Sequence, residues 1–406
     1  MTLLERFLQY VTIYTDSDPA NEAVTPSSQR QFDLARVLES QLREMGASEV
    51  TLDEHCYVYA TIPATPGLEG APRLAFLSHM DTAPDFSGKD VKPQVIENYD
   101  GGDVVLGSSG RVLTVSEFPH LPSLKGRTLI TSDGTTLLGA DDKAGVAELM
   151  TLADILLSSD IPHGQVTLCF TPDEEIGNGV KCINMERLHS DYGYTLDGGP
   201  ETEVVYENFN AAAADIRIKG RSIHPGEAKG LMVNAALVAF ELNGMLPAGQ
   251  TPSQTEEYEG FYHLGHIEGH TEEATMSYIL RDHDKHFLEA KKQTLLHAAK
   301  VLNEKYGEGT VTVEIQDQYR NMAEMILPCM HLVENATSVI EGLGIRPNVS
   351  PSRGGTDGAA LSFMGLPCPN LGTGGHAFHG PFEHVTLEGM ENCVKIALGL
   401  VQRYAQ

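Results

Sequence analysis

Apolar residues recur at helical spacing over 3–14 and again over 28–46. The second stretch sets Phe32, Leu34, Ala35, Val37, Leu38, Leu42 and Met45 in helical register and stops at Gly46, a C-cap signal. Strand-like runs follow at Val50–Leu52, Val58–Ile62 and Leu74–Leu77. After a turn-rich stretch over 84–135, a helix is predicted over Lys143–Leu157, opened by Gly139-Ala140-Asp141-Asp142. Val166–Phe170 and Tyr192–Leu196 read as two more strands, each ending at an acidic island. Strands alternating with helices predict an α/β layer whose functional groups sit at the carboxyl ends of the strands.

Near Asn208-Phe209-Asn210 the pattern changes. Ala211–Ile218 alternates as an antiparallel strand does, and a helix follows over Asn234–Met245. Strands near Phe261–Ile267 and Thr275–Arg281, a charged helix over about 284–305 and a strand at Thr310–Gln316 complete a βαββαβ order, that of a split ferredoxin-like unit. Met330–Leu343 and Leu387–Tyr404 return to helices. The predicted fold is α/β with two domains: a discontinuous mixed-sheet domain over 1–209 and 319–406, and an inserted ferredoxin-like α+β lid over 210–318. A length of 406 residues suits two cores better than one.

Charge narrows the partners. Acidic residues outnumber basic ones 56 to 28, a formal charge of −28, which argues against a nucleic-acid face or an anionic membrane surface. The first residues lack the basic start and apolar core of a signal peptide, and no later run is long and apolar enough to span a bilayer, so a cytoplasmic protein is expected. Six widely spaced cysteines form no Cys-x-x-Cys pair, which points away from a disulfide scaffold or a thiolate metal site.

The chemistry lies in five islands: Ser78-His79-Met80-Asp81-Thr82, Gly139-Ala140-Asp141-Asp142-Lys143, Asp173-Glu174-Glu175, Asp197-Gly198-Gly199 and Gly375-His376-Ala377-Phe378-His379. Together they offer imidazoles and carboxylates suited to two zinc ions sharing one bridging carboxylate. His79 and Asp81, two apart beyond a strand, can point the same way, the acid orienting a metal-bound imidazole. Asp141 or Asp142, at a glycine-bracketed strand-to-helix turn, is a good mount for a bridge, although acids there are also ordinary helix caps. In Asp173-Glu174-Glu175 three negative charges repel unless a cation lies between them; one glutamate can bind metal while its neighbour faces a substrate water as general base. Asp197 is a candidate ligand at a strand tip, and His376, His379 and His384 compete for the last position.

These islands and the text around them, notably Leu138-Gly139-Ala140-Asp141-Asp142-Lys143-Ala144-Gly145, Thr171-Pro172-Asp173-Glu174-Glu175, Asn208-Phe209-Asn210 and Arg353-Gly354-Gly355-Thr356-Asp357-Gly358, resemble the tripeptide aminopeptidases of the di-zinc aminoacylase and carboxypeptidase-type metallopeptidase family over nearly the whole chain. The resemblance implies two zinc ions per chain with Asp141 as the bridge, and His79, Glu175, Asp197 and His379 as the other ligands. It implies Glu174 as general base and Asp81 as the catalytic acid behind His79. It further implies substrate contacts from His224, toward the scissile carbonyl, and from Arg281, Arg353 and Asn210, toward the peptide backbone or terminal carboxylate.

The expected function is therefore hydrolytic release of the N-terminal residue from a tripeptide, with the inserted domain closing as a lid and offering a candidate homodimer surface. Rival readings are a dipeptidase or N-acyl amino acid amidohydrolase of the same metal chemistry, and a non-catalytic binding protein on this fold.

Overall fold

The computed structural model describes residues 1–107 and 109–406. It divides into two compact units: Met1–Tyr206, Glu324–Ser350 and Thr356–Gln406 form the first, Glu207–Ala323 and Pro351–Gly355 the second. The second unit thus takes in the five-residue segment Pro351–Gly355, far along the chain from the rest of it.

The first unit is built on an eight-stranded mixed sheet in the order Ser48–Leu52, Val58–Ile62, Val166–Thr171, Leu74–His79, Tyr192–Leu196, Asn370–Leu371, Glu203–Val205, Asn348–Val349. Its centre is parallel: Leu74–His79 pairs with Val166–Thr171 on one side and Tyr192–Leu196 on the other. These strands are buried nearly end to end, which is why they read as continuous apolar runs rather than alternating ones. Ala140–Ser158 is apolar around most of its circumference because it is enclosed by the sheet and by the helices Leu3–Val11, Gln31–Met45 and Leu387–Tyr404. Arg6, buried on the first helix, pairs with Asp154 at 2.6 Å and ties the two helices together. The opposite face of the sheet packs Tyr57, Tyr59, Leu77 and Cys169 against Leu188, Leu361 and Leu366. Gly46 ends its helix at φ +89, as its sequence position suggested.

The turn-rich stretch over 84–135 is not strandless. Gln94–Ile96 and Leu129–Thr131 join a small antiparallel sheet with His384–Thr386 and Gly375–His376. Three-residue strands are too short to show a period, which explains why sequence pattern passes over them.

In the second unit four antiparallel strands run in the order Phe261–Gly269, Glu273–Asp282, Asn210–Lys219, Val311–Tyr319. The alternation in Asn210–Lys219 is resolved into Ala212, Ala214, Ile216 and Ile218 in the core and Asp215 and Arg217 outside. Helices Ala235–Gly244 and Lys285–Tyr306 pack on that core through Val238, Leu242, Leu295 and Leu302, giving the βαββαβ order. Among the described residues no helix is long and apolar enough to cross a membrane.

Gly145 lets the central helix approach the sheet. A Cβ there would lie 2.6 Å from Ser78 Oγ, 2.6 Å from Asp142 Oδ1 and 2.7 Å from the Leu196 carbonyl oxygen. Alanine gains up to ~1 kcal/mol in helix propensity, but forcing atoms apart in a packed core costs about 1–3 kcal/mol, and the carbonyl cannot rotate away. Gly145→Ala should therefore lower unfolding free energy by about 1–2 kcal/mol in a urea titration. A stabilised variant would show that this approach is not tight.

Candidate metal centre

Parallel pairing brings the islands together. With His79 opposite Thr171 and Leu77 opposite Thr195, the chain leaves three adjacent strands at the same edge, so His79, the Asp173–Glu175 turn and Asp197 converge there. Asp141 arrives from the turn that opens the central helix. Gly139 takes φ +80, Asp141 is extended rather than helical, and the Asp141–Asp142 peptide is cis.

Asp141 turns one oxygen toward each of two histidines. Its Oδ1 lies 3.0 Å from His79 Nε2, while its Oδ2 lies 3.4 Å from His379 Nε2. Asp197 Oδ1 is 3.5 Å from His79 Nε2, and Glu175 Oε2 is 3.0 Å from His379 Nε2. Two donor groups result, His79–Asp141–Asp197 and Asp141–Glu175–His379, each able to bring three ligand atoms within 4.8 Å of one another. One imidazole nitrogen with two carboxylate oxygens is a donor set that suits a divalent metal ion such as zinc. Glu175 Oε1 is buried with no hydrogen-bond partner, which also fits a site completed by a cation.

Several carboxylates hold this arrangement without joining either group. Asp81 accepts from the amides of Glu174 at 3.0 Å and Glu175 at 3.2 Å. Sequence spacing suggests that Asp81 orients His79; in the structure His79 Nδ1 donates to the Asp81 carbonyl oxygen at 3.0 Å and also lies 3.4 Å from the Asp81 carboxylate. The hydrogen bond leaves Nε2 facing Asp141 and Asp197. Asp142 accepts from the His79 amide at 3.1 Å, so the neighbour of Asp141 points back into the sheet. Asp173, in the left-handed region at φ +58, accepts from Ser27 N, Ser27 Oγ and Gln31 Nε2, each at 2.6 Å. Asp357, buried and hydrogen-bonded to Thr171 Oγ1 at 2.9 Å, lines a small cavity shared with His79, Glu174 and Asp197. Local sequence carries no sign of the Asp142, Asp173 and Asp357 partnerships, because every partner is remote in the chain.

Electrostatics follow from crowding. Burial, reinforced by Asp197, pushes Glu174 well above the usual carboxylate range, and burial with Asp141 pushes Glu175 up to about 8. Burial likewise raises Asp197 and carries Asp357 to about 7. Burial opposes the ionisation of Asp141 too, but hydrogen bonds from His379 and His79 hold it below its ordinary range. Contacts with Asp141 and Glu175 raise His379 to about 11. So many acids in a dry cleft cannot all be ionised without positive charge among them.

His376 and His384 lie elsewhere. They face each other across the Gly375–His376/His384–Thr386 ladder, and His120 stacks on both at centroid distances of 4.2 and 5.1 Å. The His224, Arg281, Arg353 and Asn210 side chains belong to the second unit. His224 is exposed and accepts from the Gly226 amide at 3.2 Å. Arg353 donates to the carbonyls of Glu257 and Glu259 at 2.9 Å and lies over Phe209, while Arg281 donates to the carbonyls of Ala212 and Leu280 and lies over Tyr319. Asn210 bridges the carbonyls of Asp282 and His283 to the Asn321 amide. These groups have structural partners within their own unit.

The pattern of Peptidase family M20/M25/M40 matches residues 133–403. Peptidase T of Caldanaerobacter subterraneus subsp. tengcongensis is 51% identical over 406 residues, covering 100% of this chain and 99% of that one. Peptidase T of Clostridium perfringens is 50% identical over 403 residues, covering 99% and 98%. Among solved structures, aminopeptidase PepT from Bacillus cereus superposes with a TM-score of 0.79 at 25% identity, covering 100% of this chain and 98% of that one. A dinuclear metal-binding M20 peptidase of Bacillus subtilis shares the fold, with a TM-score of 0.67 at 14% identity over 99% and 97% of the two chains.

The histidine stack should make the protein acid-sensitive. Burial, with His384, His120 and Arg127 adding repulsion, depresses His376 to about 3, and burial depresses His384 to about 4. A histidine whose folded pKa lies below its unfolded value binds fewer protons when folded, so its contribution is complete above about pH 6.5 and is lost as pH falls toward the folded value. At about pH 5 the loss from His376 is on the order of 2 kcal/mol. Unfolding titrations of His376→Phe should fall off less steeply than wild type between about pH 6.5 and 5 by that amount; superimposable pH profiles would contradict this account.

Proposed function

Because the chain belongs to Peptidase family M20/M25/M40, we propose that it works as a zinc-dependent aminopeptidase of the peptidase T kind, releasing the N-terminal residue from tripeptides. It is a peptide hydrolase by its full-length likeness to peptidase T. The observation that carries the finer reading is Asp141, whose two oxygens face two different histidine-carboxylate groups.

In this reading His79, Asp141 and Asp197 hold one zinc ion, and Asp141, Glu175 and His379 hold the other. Two zinc ions there would supply Lewis acidity toward the scissile carbonyl and lower the pKa of the attacking water. Glu174 belongs to neither group. Its amide is fixed by Asp81, and its carboxyl lines the cavity beside His79 and Asp197, which supports a role in taking the proton of the attacking water and delivering it to the leaving amine nitrogen. Asp81 sets both the tautomer of His79 and the path of the Glu174-Glu175 backbone.

The second unit is proposed as a lid and as a homodimer surface. His224 would polarise the substrate carbonyl oxygen as charge develops on it. Arg281, Arg353 and Asn210 would serve the far end of the peptide; their existing hydrogen bonds favour shaping the backbone around that end over direct capture of a carboxylate. Tripeptide substrates, a net charge of −28 and the lack of a membrane-spanning helix among the described residues are consistent with a cytoplasmic peptidase.

The alternative of an N-acyl amino acid amidohydrolase is separated by substrate. A free-amine tripeptide should be cleaved and its N-acetyl form should not; the reverse preference would favour the amidohydrolase. Glu174→Gln keeps shape and removes the proton acceptor, so kcat should fall by about 10²–10⁴-fold with metal content unchanged. Near-normal turnover would move the general base elsewhere.

A further inference from the structure

Glu383 is almost fully buried, with 1% exposure, and its carboxylate accepts three backbone amides of one turn. Oε2 takes Leu138 N and Gly139 N, both at 2.7 Å, and Oε1 takes Asp141 N at 2.9 Å. That turn presents Asp141. Glu383 itself lies on the loop that links Gly375–His376 to His384–Thr386, the loop that also carries His379. His379 is 43% exposed and sits on this loop with a left-handed backbone at φ +60, so its approach to Asp141 and Glu175 depends on how the loop is held. Two donors of the Asp141–Glu175–His379 group therefore sit on segments that the Glu383 carboxylate bridges.

We infer that Glu383 is a positioning residue that locks the Asp141 turn to the His379 loop, so that this donor group is assembled as one piece. Asp81 does the equivalent for Glu174 and Glu175 by accepting their amides. A plainer role is available: the helix at Ala140–Ser158 has no side-chain cap from Gly139, and Glu383 could serve only as its cap. A cap alone would affect stability. A positioning residue must also change how metal is held.

The inference rests on the two-metal reading above, and titration of the metal-free full-length protein with Co²⁺, followed by visible absorption and equilibrium dialysis, separates the two. Wild type should bind two Co²⁺; failure to do so would overturn the two-metal reading itself. In Glu383→Gln an amide NH₂ must face at least one backbone N–H whichever way the side chain turns. The second Co²⁺ should then bind about 10–100-fold more weakly with altered absorption, the usual effect of losing a group that orients ligands, while the first is retained. Arg6→Lys, which perturbs the distant Arg6–Asp154 pair, measures general destabilisation and should leave both affinities unchanged. Wild-type affinity and absorption in Glu383→Gln would overturn the role of Glu383, as would equal weakening in Arg6→Lys at matched thermal stability. If Glu383→Gln does not fold, Glu383→Asp keeps the charge but shortens the reach, and the same weakening or its absence decides the question.

Discussion

Carboxylate crowding at the ends of three parallel strands is the constraint around which the first unit is arranged. Asp141, Glu174, Glu175, Asp197 and Asp357 come together where burial penalises every negative charge. The chain meets that cost in two ways. Acids such as Asp81, Asp173 and Glu383 spend their oxygens on backbone amides and hydroxyls, where they fix turns. Asp141, Glu175 and Asp197 are left facing imidazoles, and Asp141 is shared between two of them. Charge that would destabilise an ordinary core becomes, with cations present, the force that assembles the site.

The division of labour explains why neighbouring acids differ. Asp141 and Asp142 are adjacent and chemically identical, yet one faces His79 and His379 while the other accepts from the His79 amide. Glu174 and Glu175 have amides held by the same carboxylate, but only Glu175 contacts His379. Fixing the backbone turns two otherwise equivalent side chains into two different environments, and hence different proton affinities. The same logic removes His376 and His384 from the site: a cross-strand pairing stacks them with His120, and only the loop between them delivers His379.

Much of this was legible in the sequence wherever a local pattern exists. The Gly46 helix stop, the apolar runs that end at His79, Thr171 and Leu196, and the βαββαβ order of the inserted unit are each local signals with a periodic or capping cause. Choosing Asp141 over Asp142 needed the family resemblance, because adjacency hides direction. The supports were out of reach: Glu383 binds a turn more than two hundred residues earlier, and Asp173 is met by Ser27 and Gln31 from near the start. Nor could pattern assign Pro351–Gly355 to the second unit, since five residues carry no period and their allegiance is set by Arg353 reaching Thr255, Glu257 and Glu259.

Whether Asp141 joins two metal ions is tested most directly by metal content. Protein purified without chelator should contain two zinc ions per chain by mass spectrometry, and Asp141→Ala should lose both while still folding, because each ion is then left with one imidazole and one carboxylate. Retention of two tightly held zinc ions by Asp141→Ala, or their absence from wild type reconstituted with excess zinc, would contradict the account.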